Sequence, residues 1–271
     1  EMTSQSIFGG FGIKGKLPVS TKHYPLNYGI ETNKIRLEYS IPEEFGVNES
    51  DLYKIDSLAK NAISEKSTPG CQILIAKEGK IIFNKSYGYH TYSKKKKVKN
   101  TDVYDLASIT KISATIPLLM KMVDEGKLNI DNTLGMYLDL DTSNKTELVI
   151  RDILAHQSRL KSWIPFYRFT LDNDTINGVK ILRDTLYSST ESAIYPYKVA
   201  DDIYLHFSYP DSILKIIKYS ELRENEGYKY SDLGYYFFKE IIERNYNKQL
   251  NKLASDYFYN KLGMENLGYL P

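Results

Sequence analysis

Ser108-Ile109-Thr110-Lys111 heads a stretch that carries no charge from Ile112 to Met120. On a helix, residues i and i+3 share a face, with β-carbons about 5–6 Å apart. A serine oxygen and a lysine amine so placed can meet, which is one way to activate an alcohol for attack on a carbonyl. Spacing alone selects nothing, because Ser-x-x-Lys starts at Ser57, Ser93, Ser108, Ser158 and Ser212. Ser93 opens a run of lysines that reads as a solvated turn, and Ser57 and Ser212 lie in charged amphipathic stretches. Ser158 sits beside Arg159 and Lys161 in what reads as a loop. Only Lys111 opens a segment apolar on every face (Ile112, Ala114, Ile116, Leu118, Leu119, Met120), and a helix apolar all round is buried. Burial disfavours an ammonium: a pKa lowered from about 10.4 to near 7 corresponds to roughly 4–5 kcal/mol. Such a cost is hard to justify outside a functional site. Asp105 and Ser108 are both plausible N-caps of this helix. Pro117 should kink it and deprive the Ser113 carbonyl of its usual partner. The bland alternative for the tetrad by itself is a capping serine beside a lysine that reaches water.

A second element adds weight. Tyr230-Ser231-Asp232 ends a polar run (221–229) and opens an amphipathic helix from Leu233. Tyr230 therefore falls at a turn and not in a core stripe. A phenol, with a pKa near 10, acts as a base only where cations stabilise its anion. Lys111 is the natural cation. In a chain with 24 tyrosines a lone tyrosine means nothing; one before a helix, downstream of a buried Ser-x-x-Lys, means more.

Taken together, these segments resemble the serine β-lactamase, D,D-peptidase and esterase superfamily, on its class C side. The stretch 70–88 resembles the family's first hairpin, and Tyr104-Asp-Leu-Ala-Ser-Ile-Thr-Lys its nucleophile motif. Glu125-Gly-Lys-Leu-Asn-Ile-Asp-Asn follows the central helix as in the family. Arg151-Asp-Ile-Leu-Ala-His-Gln-Ser-Arg-Leu resembles its LLxHxSGL segment, with Arg159 in place of the glycine. Residues 262–271 resemble the stretch after the tyrosine helix. The resemblance covers about residues 47–271. It implies an α+β fold, a helical block packed on an antiparallel sheet, and an acyl-enzyme mechanism. Ser108 would be the nucleophile, Lys111 its proton partner, and Tyr230 the base that serves the leaving group and then water. Family members usually carry Asn where this chain has Asp232, and an ionised Asp accepts hydrogen bonds without donating. Substrate binding at Asp232 is therefore expected to differ, in a direction compatible with an esterase or peptidase. The plain alternative for Asp232 is a helix N-cap.

The family's third motif, Lys/His-Thr/Ser-Gly on a late strand, does not occur between Tyr230 and Pro271. The resemblance implies that this motif supplies half the oxyanion hole, where a donor matters by a factor of about 10²–10³. The expectation is a hydrolase domain incomplete at its C-terminus, inactive or nearly so alone, with a sheet edge open to association. Residues 1–46 read as the tail of a preceding domain plus a linker. Ser6 to Ser20, with Tyr28-Gly29-Ile30, resembles the closing segment of family 3 glycoside hydrolases acting on β-N-acetylglucosaminides, which implies a covalent glycosidase partner. Gly10-Phe-Gly-Ile-Lys-Gly also matches a dinucleotide-binding pattern. That motif needs a following helix, which Pro18 forbids, so the match is rejected.

Composition narrows the classes. A net charge of +2 gives no electrostatic case for nucleic acid, and the lysines of 94–99 lack interleaved aromatics and read as a hairpin loop. The one cysteine, Cys71, excludes an internal disulfide and a Cys-rich zinc site, and reads as a small core residue. His23, His90, His156 and His206 lack metal spacing, and no metal or cofactor is expected. No apolar run approaches the 18 residues of a membrane span. The resemblance implies a bacterial protein that is periplasmic or otherwise exported. Trp163 and its aromatic neighbours read as core.

Helices are expected near 50–64, from Ser108 to about Glu125, at 233–245 and at 249–261. A hairpin is expected at 71–89, and a mostly helical region through Leu222. Two functions fit. One is a serine hydrolase acting on cell-wall peptides or esters; the other is a non-catalytic module that binds glycan or peptidoglycan for the glycosidase. A purely structural tail is a third, disfavoured by the Ser-x-x-Lys and Tyr set.

Overall fold

The computed structural model describes residues 2–7, 9–34, 36–176 and 179–269. Its chain gathers into two compact units, 1–105 and 106–271. The first holds α1 (Met2–Ile7), β1 (Glu38–Tyr39), α2 (Glu49–Ser64), β2 (Gly70–Lys77) and β3 (Lys80–Gly88). Strands β2 and β3 pair antiparallel around Glu78-Gly79, and both turn residues have positive φ (50° and 77°). Two left-handed residues in a two-residue loop match the right-handed twist of the strands it joins. Helix α2 packs on the hairpin, and its buried residues, Leu52 and Ala59, lie seven positions apart on one face.

Two features of this unit differ from expectation. The sheet is not wholly antiparallel, because β1 joins β3 in parallel (Glu38 opposite Lys80, Tyr39 opposite Ile81), giving the order β1-β3-β2. The supposed linker thus contributes a strand. Cys71, on β2, is only half-buried and is not a core residue.

The second unit begins with the helix that follows Ser108. Helical backbone starts at Ile109, passes through a π turn at Lys111–Thr115 and continues as α3 (Ile116–Asp124). Then follow α4 (Ile150–Leu154), β4 (Leu171–Ile176), β5 (Val179–Leu182), β6 (Tyr187–Ser188), β7 (Tyr197–Ala200) and β8 (Ile203–Leu205). Helices α5 (Tyr209–Lys218), α6 (Leu233–Tyr246) and α7 (Leu250–Ala254) complete the unit, the last running into a π turn at Ser255–Tyr259. The region expected to be mostly helical therefore carries a hairpin, β4-β5, and a small sheet, β6-β8-β7. Its strands are short and built on Tyr, Val, Ile and Thr, which suit a pleated surface but give too little alternation to register as strands. The fold is α+β, as expected.

The core of this unit is helical. Ala114, Leu118 and Met122 are each fully buried and recur every four residues, as one face of a helix must. They meet Phe237, Phe238, Ile241 and Ile242 of α6, Ile150 and Ile153 of α4, and Leu253 and Ala254 of α7. The charge-free stretch is nonetheless not buried all round: Ile112 and Met120 are 64% and 63% exposed. Absence of charge did not mean burial on every face. Pro117 sits just after the π turn, and the Ser113 carbonyl it would have left bare accepts the Tyr259 hydroxyl at 3.1 Å.

Close packing under the site makes one position intolerant. A β-carbon on Gly234, in the first turn of α6, would lie 2.1 Å from Cγ2 of Ile153. Gly234→Ala should destabilise by about 1–3 kcal/mol through overpacking, measured as a lower denaturation midpoint at unchanged slope.

Candidate active site

Ser108 stands at a left-handed turn. Ala107 before it has φ of 43°, a conformation that costs a non-glycine residue about 1–2 kcal/mol. The chain then enters the helix, and the π turn carries Lys111 back over the serine. Lys111 Nζ donates to Ser108 Oγ at 3.0 Å. Other Ser-x-x-Lys serines spend their hydroxyls elsewhere: Ser57 and Ser212 donate to carbonyls one turn back, and Ser93 pairs with Thr91.

The same lysine reaches across 121 residues of chain to Asp232, donating to Oδ1 at 2.6 Å. Asp232 occupies the N-cap position of α6 but caps nothing with its side chain. That task falls to Ser231, whose Oγ accepts the Leu233 N–H at 3.1 Å and donates to the Lys161 carbonyl at 2.7 Å. The carboxylate is thereby left for the lysine. Tyr230 lies against the ammonium, with Nζ 5.1 Å from its ring centre, and Tyr235 flanks it at 5.3 Å. The structure thus brings Ser108, Lys111, Tyr230 and Asp232 together.

The electrostatics correct one expectation. The Lys111 side chain is only 14% exposed, and burial does oppose its charge. Hydrogen bonds and charge from Asp232, then Tyr230, outweigh that burial and hold its pKa above the ordinary lysine value. A lysine depressed toward 7 was expected from an apolar helix; the carboxylate that reverses the sign comes from a distant segment. Lys111 rests as an ammonium donor.

His156, one of the four histidines without metal spacing, lies beside this cluster. Its ring centre is 4.5 Å from that of Tyr230, and Nδ1 accepts the Ser231 N–H at 3.2 Å. The only signal for it was its place in the His-Gln-Ser stretch. Trp163, expected in the core, is 57% exposed. It follows Ser162, whose carbonyl accepts the Asp232 N–H at 2.8 Å.

Arg159 explains its own departure from the glycine of the LLxHxSGL pattern. Its φ is 61°, the left-handed region where glycine is favoured. The larger side chain is put to use: Arg159 Nε donates to the Arg223 carbonyl at 2.8 Å, and the Arg223 N–H donates to the Arg159 carbonyl at 2.8 Å. This reciprocal clasp ties the loop before Tyr230 to the loop after α4.

At the head of a helical core, an alcohol is touched by a lysine that a carboxylate and a phenol in turn flank. The Beta-lactamase family model matches residues 55–271, and the chain belongs to that family. Protein flp of Staphylococcus aureus (strain NCTC 8325 / PS 47) is 32% identical over 132 residues, covering 46% of this chain and 26% of that protein. An Escherichia coli O157:H7 protein, provisionally named D-alanyl-D-alanine carboxypeptidase, is 26% identical over 251 residues, 87% of this chain and 51% of its own. The chain thus spans between a quarter and about half of the length of these relatives. Among solved structures, the octameric penicillin-binding protein homologue of Pyrococcus abyssi shares the fold with a TM-score of 0.58 at 22% identity, over 79% of this chain and 44% of that one. The β-lactamase/D-alanine carboxypeptidase of Yersinia pestis does so with a TM-score of 0.55 at 18% identity, over 83% and 57%. Among the described residues no helix is long and apolar enough to cross a membrane.

Proposed function

We propose that this chain carries the nucleophile of a serine hydrolase that works through an acyl-enzyme on Ser108. Its substrates are cell-wall peptides or esters. The observation that carries this reading is the shared ammonium: Lys111 Nζ lies 3.0 Å from Ser108 Oγ and 2.6 Å from Asp232 Oδ1. A charged lysine donates to the serine oxygen and cannot also take its proton. The proton therefore passes to Tyr230, whose anion the ammonium stabilises, and Lys111 acts as electrostatic anchor. Ser108 Oγ bonds to the acyl carbon and the bond to the leaving group breaks. Tyr230 returns the proton to that group, and water then cleaves the acyl-enzyme by the reverse proton route. Asp232 replaces an amide donor with a carboxylate, which favours substrates that need no hydrogen bond from this position.

The tie to a glycosidase, suggested by residues 6–30, belongs to this reading as a partner that would release the muropeptide substrate. A glycan-binding module without catalysis is favoured by one observation, the Lys111–Asp232 ion pair, which ties up the amine.

The test is covalent labelling. A fluorophosphonate or fluorescent penicillin, incubated with the full-length protein and followed by digestion and mass spectrometry, should leave its adduct on Ser108. Adduct elsewhere, or none with either probe, would reject the hydrolase in favour of the binding module.

A further inference from the structure

His156 is held in a conformation its backbone does not favour. It follows α4 with φ of 58°, a left-handed position that histidine enters more readily than most residues but still at a cost. From there it engages three consecutive residues of the segment that carries Tyr230. Its carbonyl accepts the Lys229 N–H at 2.9 Å, its ring packs on Tyr230 at 4.5 Å and 40°, and its Nδ1 accepts the Ser231 N–H at 3.2 Å. Tyr230 thus has both the imidazole and the Lys111 ammonium against its ring, at 4.5 and 5.1 Å from its centre.

We propose that His156 is the positioning residue that sets Tyr230 against Lys111, and that it does so only while Nδ1 is an unprotonated acceptor. The proposal rests on the reading of Tyr230 as proton carrier. An imidazolium carries N–H on both nitrogens. Protonating Nδ1 would set two donors face to face across the Ser231 contact, break it, and free Tyr230 to move. A misplacement of about 1 Å at a reacting group costs on the order of 10²-fold in rate.

The groups facing the ring act in both directions. Lys111, from the nucleophile helix, opposes a charge on the imidazole, and Asp232, at the head of α6, favours it. Tyr235 of α6 and Tyr228 of the preceding loop lie at 6.1 Å. Burial is the largest influence and, with Lys111, holds the His156 pKa below its ordinary value of 6.5. Neutral imidazole is therefore the state at pH 7, and the loss falls in the acid range.

Two variants separate the roles. His156→Phe keeps a ring against Tyr230 and removes the acceptor. His156→Asn keeps an acceptor and tolerates the left-handed backbone. Turnover of a nitrophenyl ester, or labelling rate with a fluorophosphonate, is followed from pH 4.5 to 9 with thermal melts as a fold control. In His156→Phe the rate should fall about 10²-fold across the range, while His156→Asn should recover to within about tenfold of the parent and lose the acid limb due to the imidazole. An unchanged rate and pH profile in His156→Phe, with Ser108 still labelled, would overturn the proposal and leave the hydrolase reading intact. If Ser108 takes no label in the parent, the hydrolase reading fails instead, and nuclear magnetic resonance decides. A Ser231 amide shift that titrates with His156 keeps the structural tie; an amide indifferent to that titration removes it. Should His156→Phe fail to fold, the loss of the acid limb in His156→Asn remains the deciding result.

Discussion

Ser108→Ala should abolish covalent labelling, and Lys111→Met should slow it by about 10²–10⁴-fold, while thermal melts show both variants folded. In the proposed mechanism the serine supplies the only bond the acyl-enzyme can form, so its removal leaves nothing to label. The lysine supplies the charge that draws Tyr230 and steadies Ser108 Oγ, a contribution in the range of positioned acid–base groups. Asp232→Asn is the informative companion. It removes the carboxylate that, with Tyr230, raises the lysine, so the lysine pKa should fall and the alkaline limb of the labelling rate should move to lower pH. Labelling that persists in Ser108→Ala would place the nucleophile elsewhere. An alkaline limb unmoved in Asp232→Asn would mean that the ion pair does not govern the lysine.

The other large effect lies outside the site. Lys145 has no exposed surface, and among the described residues no carboxylate lies within ion-pair distance of it. Its Nζ donates to Asn144 Oδ1 at 2.5 Å and to the Ser220 carbonyl. Burial pushes its pKa down to about 8, against a partial offset from the charge of Glu221. The sign follows from linkage. The folded state gives up the proton more readily than the unfolded chain, whose lysine titrates near 10.4. Below pH 8 both states carry the charge and the folded state bears the full penalty; between about pH 8 and 10.4 the penalty is relieved. Stability of the parent should therefore rise, relative to Lys145→Met, by about 2–3 kcal/mol from pH 7 to pH 10. Denaturant titrations of the two proteins at these pH values measure it. A difference that stays constant with pH would show that Lys145 keeps its charge when folded.

How far the sequence could be read depended on whether the signal was local. Helix α2 was visible in a charged amphipathic stretch, and the hairpin through the resemblance of residues 70–88 to the family's first hairpin. The fate of Pro117 was half visible. A missing N–H is a local fact, whereas the hydroxyl that replaces it comes from Tyr259, 146 residues from Ser113. The strands between Leu171 and Leu205 escaped because each is too short for its alternation to show, and pairing partners decide their existence.

The site divides along the same line. Residue order alone placed Ser108 one turn from Lys111 and put Tyr230 at the mouth of a helix, because helical periodicity and turn chemistry act over a few residues. The charge on Lys111 was decided by folding, since it depends on a carboxylate delivered from the far end of the unit, and its sign came out opposite to what an apolar flank suggests. Folding likewise turned His156 from an isolated imidazole into the neighbour of Tyr230. Short-range geometry is written into the order of residues, whereas electrostatic environment is a sum over everything the fold brings near.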